Sequence, residues 1–275
     1  MNKANTFKGQ LNYDLLRRDH QKQVRKINDL YIEAVMSVRG LSELRKEVSK
    51  TKSERVHLTA PTSKGKTARI SRRREDLLLL MDERIRRREY IQSLVFAVSL
   101  TEEYISRNLA RVMRAFPQKV LISPAGTPDD GEKTVQVDLR DLIQLGSLKK
   151  AISRKAAERT REAMYATPAK YEKYTRSIWG FSFDNGTWEN FVEIKATRDL
   201  HVHGDGKINE IYLGKVGAKA RGAVEEQAVI DAEYLERSIS CMKQIYGQIY
   251  AGMREKYMSS LQLHDAFGDE LDLGY

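Results

Sequence analysis

The chain has 275 residues, of which 31% are charged and 41% hydrophobic, and its formal net charge at pH 7 is +10. This length allows one or two domains, and the composition is typical of a globular protein rather than a disordered or membrane-spanning one. The longest apolar runs, residues 77–81 and 94–100, fall far short of the roughly 18 residues that a membrane span requires. We therefore expect no membrane as a partner.

The N-terminus and the cysteine content indicate the cellular compartment and exclude some kinds of site. Residues 1–10 contain no apolar signal core, so we expect a cytoplasmic protein. The single cysteine, Cys241, excludes a disulfide framework and a zinc site built from several thiolates. Five prolines and few strand-like runs favour helices. Nothing in the sequence requires a cofactor or a metal, and we expect neither.

Apolar residues recur at spacings of three and four over residues 11–48, which predicts a long amphipathic helix. Residues 51–71 are rich in Ser, Thr, Pro, Gly and Lys and keep no apolar period, so they predict a linker. A second helix is predicted over residues 72–116, ended by Pro117. Its middle, residues 90–100, is apolar on nearly all sides, as in a core helix.

The positive charge is concentrated between residues 50 and 74, where nine basic residues stand against one acid, Glu54. Such a block favours a polyanionic partner, most simply nucleic acid, because binding releases counterions. A solvated linker is the alternative interpretation. Six residues of the block are predicted to contact RNA: Lys64, Lys66, Arg69, Arg72, Arg73 and Arg74.

The second half of the chain also predicts mainly helices. Residues 120–137 predict a loop or weak hairpin, and a helix is predicted to start at residues 139–144. Further helices are predicted over residues 147–166, 167–179, 187–202 and 224–257. The fold class is therefore predicted as all-α. We divide the chain into an N-terminal helix and basic linker, a helical domain and an acidic tail, over residues 1–71, 72–258 and 259–275.

Two motifs invite functional interpretations that we weigh against simpler ones. Residues 60–67 fit a relaxed phosphate-loop pattern, with Ala60 in place of the first glycine. A phosphate loop needs a parallel sheet, and since few other strands are predicted, a basic linker is favoured. Tyrosines at helical spacing in the last helix are able to stack on bases, but core or dimer packing is favoured. These are Tyr234, Tyr246, Tyr250 and Tyr257.

The third motif contains Arg198, Asp199 and His203. An arginine supplies fixed positive charge, and a histidine titrates near neutrality, so together they suit phosphodiester cleavage. On a helix, Arg198 and His203 lie about 140° apart, whereas Asp199 and His203 share a face. Asp199 is therefore predicted to orient His203 or to raise its pKa. A surface ion pair beside a helix-terminal histidine is the alternative.

These residues resemble the motif of the HEPN superfamily, a group of helical proteins. That motif is an arginine, usually followed by Asn, Asp or His, with a histidine four to six residues further on. Arg198, Asp199 and His203 fit it, and residues 204–213 resemble the stretch that follows it in bacterial members. The sequence is therefore similar to this family in the motif and immediately after it.

The resemblance extends to the helix predicted upstream of the motif. Residues 90–114, which contain Glu102 and Glu103, resemble the first core helix of the family, which often carries an acidic residue facing the site. Trp188, before the motif, also fits. The resemblance covers about residues 86–257, and the N-terminal part has no counterpart that we recognise.

The resemblance implies a HEPN-like helical bundle that pairs into a homodimer, so that two motifs form one composite site. Catalytic members are metal-independent endoribonucleases that leave a 2′,3′-cyclic phosphate. Many are toxins or abortive-infection effectors in phage defence. Other members have no nuclease activity and act as binding modules.

The resemblance also implies roles for individual residues. Arg198 is expected to bind and stabilise the phosphate, and His203 to act as general acid or base. Asp199 would orient His203, and Glu103 or Glu102 would contact the site. His201 is a second histidine inside the motif, which either shares the chemistry or packs.

We therefore expect an endoribonuclease that cleaves RNA as a homodimer, of the toxin or antiviral-defence kind. Residues 1–71 are expected to hold an antitoxin or a partner protein from a defence system. The alternative is a noncatalytic HEPN-like nucleic-acid-binding or adaptor subunit.

Overall fold

The computed structural model describes residues 11–124, 146–184 and 186–257. The helices are α1 (Tyr13–Lys50), α2 (Arg74–Glu83), α3 (Glu89–Ala115), α4 (Leu148–Met164), α5 (Pro168–Trp179), α6 (Thr187–His203), α7 (Glu210–Val216) and α8 (Ala232–Tyr257). Strands β1 (Arg55–Pro61) and β2 (Thr67–Arg73) form the one sheet of the described residues. The all-α class is confirmed, and the predicted helices over 11–48, 147–166, 167–179 and 187–202 match α1, α4, α5 and α6 closely.

Some predictions fall on parts of the chain that are not described. The predicted helix start at residues 139–144 and the predicted tail at 259–275 lie outside the described residues. Most of the loop or hairpin predicted at 120–137 does so too, and its first residues end a short 3₁₀ turn, Pro117–Leu121.

Helix α1 is part of the main core. The Asn12 side chain caps its first turn by accepting a hydrogen bond from the Leu15 amide at 3.1 Å. Leu16, Ile27 and Ala34 are buried among side chains of α3 and α8. The predicted division after residue 71 therefore separates α1 from helices with which it shares one core.

A buried ion pair joins α1 to α3. Arg111 donates a hydrogen bond to Asp19 Oδ2 at 2.9 Å, and Arg107 lies 3.1 Å from Asp19 Oδ1. Both the Asp19 and the Arg111 side chains are essentially inaccessible to solvent. Asn108 also accepts a hydrogen bond from Arg111. The charge of Asp19 is thus balanced by two guanidinium groups inside the core.

The prediction of a linker over residues 51–71 is wrong, because most of this segment forms an antiparallel β-hairpin. Arg55 pairs with Arg73, and Pro61 pairs with Thr67. Thr62 and Lys66 extend the pairing by a backbone hydrogen bond of 2.7 Å, and Gly65 has a φ of +71°. A three-residue loop that ends in a left-handed glycine is a common way to close a hairpin. The phosphate-loop interpretation is excluded, because a second antiparallel strand follows the loop where a helix is required.

The hairpin has two unlike faces, because successive side chains of a strand point to opposite sides. One face carries Arg55, His57, Arg69 and Arg73. The other carries Val56, Leu58, Ala60, Ala68, Ile70 and Arg72. Nearly all of these residues are exposed, and the hairpin packs mainly against α2 at its base. It therefore projects from the helical body as a basic arm.

Helices α2 and α3 form one long rod with a π-helical turn, Arg84–Arg88, between them. In this turn the Glu89 amide donates to the Arg84 carbonyl, five residues earlier instead of four. The predicted start at residue 72 is too early, since Arg72 and Arg73 pair in β2 and the helix begins at Arg74.

Helix α8 begins at Ala232, eight residues later than predicted. Asp231 caps it by accepting a hydrogen bond from the Tyr234 amide at 2.8 Å. The residues before Asp231 instead pair with the loop that follows α6. There the Ala228 amide donates to the Gly206 carbonyl at 2.9 Å, and the Ile208 amide donates to the Glu226 carbonyl at the same distance. This pairing holds the end of α6 in place.

Candidate active site

An open cleft of about 470 Å³ lies beside α6, between α3, the α4–α5 junction and α7. Its lining divides into an apolar and aromatic half and a charged half. The charged half contains Glu102, Lys195, Arg198, Asp199, His203 and Lys215. Of the five residues predicted for the catalytic site, Arg198, Asp199 and His203 line this cleft, whereas Glu103 and His201 do not.

Arg198 is held by carboxylates from two elements. Its Nη2 donates to Glu102 Oε2 of α3 at 2.8 Å, and its Nε lies 3.2 Å from Asp199 Oδ1. The Arg198 side chain is 17% exposed, so it is fixed without being sealed from solvent. A guanidinium anchored in this way keeps other N–H groups for an anionic oxygen.

Glu102, rather than Glu103, is the acidic residue at the site. Glu103 pairs instead with Arg107 on the same helix, at 3.1 Å, and its side chain is 54% exposed. Successive residues of a helix are rotated by about 100°, so only one of two adjacent glutamates faces α6. The preferred assignment of Glu103 is therefore wrong, and the alternative Glu102 is in contact.

Two lysines complete the charged half and were not predicted. Lys195 Nζ lies 2.5 Å from Glu102 Oε1, and Lys215 Nζ donates to Asp199 Oδ2 at 3.5 Å. Lys195 precedes Arg198 by three residues, a spacing that places both on one helix face and was available in the sequence. No local sequence pattern indicates Lys215, because it reaches the cleft only through the packing of α7 on α6.

His203 occupies the last position of α6 and is exposed. Its ring makes no hydrogen bond to any of the described residues, and the Asp199 carboxylate is directed to Arg198 and Lys215 instead. The predicted orientation of His203 by Asp199 is therefore not seen. His203 and Arg198 still border the same cleft, although they lie about 140° apart around the helix. The long Arg198 side chain and the position of His203 at the helix end allow both to reach it.

His201 packs instead of lining the cleft. Its Nε2 donates to the Ala228 carbonyl at 2.6 Å, and burial lowers the pKa of its ring. Gly206 has a φ of +78°, and a Cβ at this position would come within 2.3 Å of His201 Cε1. Of the two possibilities for His201, the geometry corresponds to packing: the ring secures the loop that ends α6.

The opposite side of α6 is closed by a buried hydrogen-bond network. Glu193 accepts hydrogen bonds from Thr197 at 2.6 Å, Tyr212 at 3.0 Å and Tyr234 at 2.9 Å. Tyr234 is 5% exposed and Tyr246 is fully buried, so both tyrosines pack in the core. Tyr250 and Tyr257 also form internal hydrogen bonds. Packing is thus the role of this tyrosine series in the described structure.

The six residues predicted to contact RNA lie on or beside the hairpin, and none lines the cleft. Lys64 and Lys66 are at its tip, and Arg74 at its base donates to the Thr51 carbonyl at 2.6 Å. Sequence reasoning missed the arginines of the π turn. One of them, Arg87, donates to the Asp205 carbonyl at 3.3 Å, just beyond the end of α6. Basic residues therefore occur both on the arm and near the motif.

The described residues contain neither a membrane-spanning helix nor a cluster of metal ligands. None of the described helices has the length and apolar character needed to cross a membrane. Within residues 11–124, 146–184 and 186–257, no group of three or more His, Cys, Asp or Glu side chains is arranged to hold a metal ion. Comparisons of the chain with protein-family models, curated proteins and solved structures find no match.

Proposed function

We propose that this protein is an endoribonuclease that cleaves RNA at the cleft beside α6, as the similarity of its motif to HEPN proteins implies. The observation that carries the proposal is the convergence of Arg198 and His203 on one open cleft, together with Lys195 and Lys215. Three cationic side chains fit a phosphodiester, and an exposed imidazole fits proton transfer to or from a ribose oxygen.

In the proposed reaction, the ribose 2′-hydroxyl gives its proton to a neutral imidazole and its oxygen attacks phosphorus. The bond from phosphorus to the 5′-oxygen then breaks, and that oxygen receives a proton from an imidazolium. The products are a 2′,3′-cyclic phosphate and a 5′-hydroxyl. Arg198 stabilises the charge that develops on the phosphoryl oxygens, and Glu102 holds Arg198 in position.

Each chain brings one exposed motif histidine, so the two proton transfers call for two copies. We propose a homodimer in which His203 of each copy faces the same scissile phosphate. The basic arm recruits RNA through Lys64, Lys66 and Arg69 and neighbouring arginines, by charge and without sequence readout. A toxin or antiviral-defence role, and a partner protein bound through residues 1–71, belong to the same proposal.

The test is incubation of the purified protein with total RNA in the presence of EDTA. We expect cleavage by the wild type and at least a hundredfold slower cleavage by His203→Ala. The control is Arg176→Ala, which removes an exposed basic side chain that lies outside both the cleft and the hairpin and should leave cleavage within twofold. Full cleavage by His203→Ala would contradict the assignment.

One observation favours the noncatalytic alternative. Arg198 is paired with two carboxylates, which is also how a structural ion pair is arranged. In a nucleic-acid-binding or adaptor subunit, substitution of Arg198 would change stability or binding, with no cleavage to lose. The same incubation separates the two functions, because the adaptor leaves RNA intact at every protein concentration.

A further inference from the structure

The cleft beside α6 has an aromatic half that the proposed chemistry does not use. Its lining there comes from the end of α4, the start of α5 and the first turns of α6. The residues are Met164, Tyr165, Ala166, Pro168, Tyr171, Trp188, Phe191 and Val192. An apolar, aromatic surface directly beside a cationic one matches the two ends of a nucleotide, a flat base and a phosphate.

Tyr165 is the unusual member of this half. It is the C-cap residue that follows α4, and its large aromatic side chain is 86% exposed. An exposed aromatic ring at the edge of a cationic cleft is the arrangement by which proteins stack on unpaired bases.

Tyr171 and Trp188, which also line the aromatic half, each carry a buried hydrogen-bond donor without an acceptor in the described part of the chain. Each is only 4% exposed, and their rings meet edge to face with centroids 5.2 Å apart. The Tyr171 hydroxyl and the Trp188 Nε1 have no hydrogen-bond partner among the described residues. Burial raises the pKa of Tyr171, so its hydroxyl stays protonated. Buried donors without acceptors are costly in a folded protein, and here both belong to residues that line the cleft.

Lys195 connects the two halves. Its Nζ pairs with Glu102 on one side and lies 5.9 Å from the centroid of the Tyr171 ring on the other. The charged half and the aromatic half of the cleft therefore meet at Lys195. A single nucleotide, with its phosphate and its base, needs two such surfaces side by side.

We propose that the aromatic half of the cleft binds the base of an unpaired nucleotide, with Tyr165 as its stacking platform and the attached phosphate at Arg198. This inference rests on the proposed function for the location of the phosphate. It makes Tyr165 a substrate-binding residue and directs cleavage to single-stranded positions, because a base within a duplex is not free to enter the cleft.

Binding is measured with the full chain and a fluorescent single-stranded RNA whose riboses are all 2′-O-methylated, which blocks the 2′-oxygen as nucleophile. We expect Tyr165→Ala to weaken binding about tenfold or more. Tyr165→Phe, which keeps the ring, should bind within twofold of the wild type. The matched control is Phe96→Ala, because Phe96 is 64% exposed and does not line the cleft.

Cleavage of unmodified RNA is measured in parallel, so that the two proposals fail separately. Binding that depends on Tyr165, without cleavage by the wild type, would overturn the nuclease and support the base site. Normal cleavage with equal binding and KM in Tyr165→Ala would overturn the base site and leave the nuclease intact. Absence of oligonucleotide binding by the wild type would also overturn the base site. The same conclusion would follow if Tyr165→Ala changed the oligomeric state in analytical ultracentrifugation, since Tyr165 would then be a contact between copies.

Discussion

Two acid–arginine pairs on α3 have the same chemistry and opposite surroundings. Asp19 and Arg111 join α1 to α3 with both side chains excluded from solvent. Glu102 and Arg198 join α3 to α6 at a nearly equal distance, but they border a cleft and remain 12% and 17% exposed. Pairing alone therefore does not tell a structural arginine from a functional one. The difference is whether an outside molecule reaches the guanidinium.

The largest expected effect comes from breaking the buried pair. Asp19→Ala leaves Arg111 as an uncompensated charge in the core, which should lower the free energy of unfolding by about 3–5 kcal/mol. Urea unfolding monitored by circular dichroism measures this loss. The control is Asp14→Ala, which removes a surface carboxylate 3.6 Å from Arg17 and should cost about 1 kcal/mol or less. Equal losses in the two variants would contradict the structural role of the buried pair.

Breaking the cleft pair should change activity rather than stability. Arg198→Ala removes a donor to the phosphoryl oxygens, so cleavage of RNA should fall by about 10²–10³-fold. Because Glu102 still pairs with Lys195 and Asp199 with Lys215, the free energy of unfolding should fall by only about 2 kcal/mol or less. Arg176→Ala serves as the control, since Arg176 has a paired carboxylate, Glu172, but lies outside the cleft. A stability loss as large as that of Asp19→Ala would make Arg198 a structural residue.

A smaller effect is expected from Glu102→Gln, which keeps the shape of the side chain and removes its charge. Looser positioning of Arg198 should lower kcat about tenfold. Removal of a negative charge from the cleft should at the same time lower KM for RNA. Single-turnover and steady-state cleavage assays separate the two changes. The companion variant Glu103→Gln should leave both constants unchanged, because Glu103 faces Arg107.

The smallest expected effect concerns the pH dependence of folding. Burial lowers the pKa of both His20 and His201 below the ordinary value of 6.5. The unfolded chain then binds more protons, so stability is fully present above pH 6.5 and declines as the pH falls toward the lowered values. His20→Gln and His201→Gln should each flatten this decline in unfolding measured from pH 7.5 to pH 5. Curves parallel to that of the wild type would contradict the assignment.

Local patterns in the sequence were sufficient for most of the helices. The three- and four-residue spacing of Leu16, Ile27, Ala34 and similar residues identified α1, and the Thr167-Pro168 pair identified the start of α5. The glycines after His203 correctly marked the end of α6, where Gly204 is the C-cap. These signals succeed because each depends on neighbours within one or two turns.

The hairpin was not predicted from the sequence because its alternation of apolar and polar residues is weak. The alternation of Val56, Leu58 and Ala60 has a period of two, but both faces of the hairpin are exposed, so no strong hydrophobic contrast results. In the sequence, Gly65 is one of several residues typical of a linker, whereas in the structure it is the left-handed residue of a three-residue turn. The composition of the segment therefore predicts its basic charge but not its hairpin structure.

At the candidate site, the sequence identified the motif but only part of its surroundings. Arg198 and His203 were found from their spacing, whereas the choice of Glu102 over Glu103 depends on how α3 is rotated against α6. Lys215 and Tyr165 reach the cleft from separate elements, so only the tertiary packing reveals them. The same packing places His201 against Ala228, a contact that no local pattern indicates.

The π-helical turn Arg84–Arg88 has a consequence for the direction of the basic arm. One additional residue in a helical rod turns everything beyond it by about 100° and advances it by about 1.5 Å. A chain shortened by one residue in this turn would swing the hairpin about a quarter of the way around the axis of α3. It would also carry Asp82 away from Arg45, its partner on α1 at 2.6 Å. The direction in which the arm points relative to the cleft therefore depends on the one additional residue in the π-helical turn.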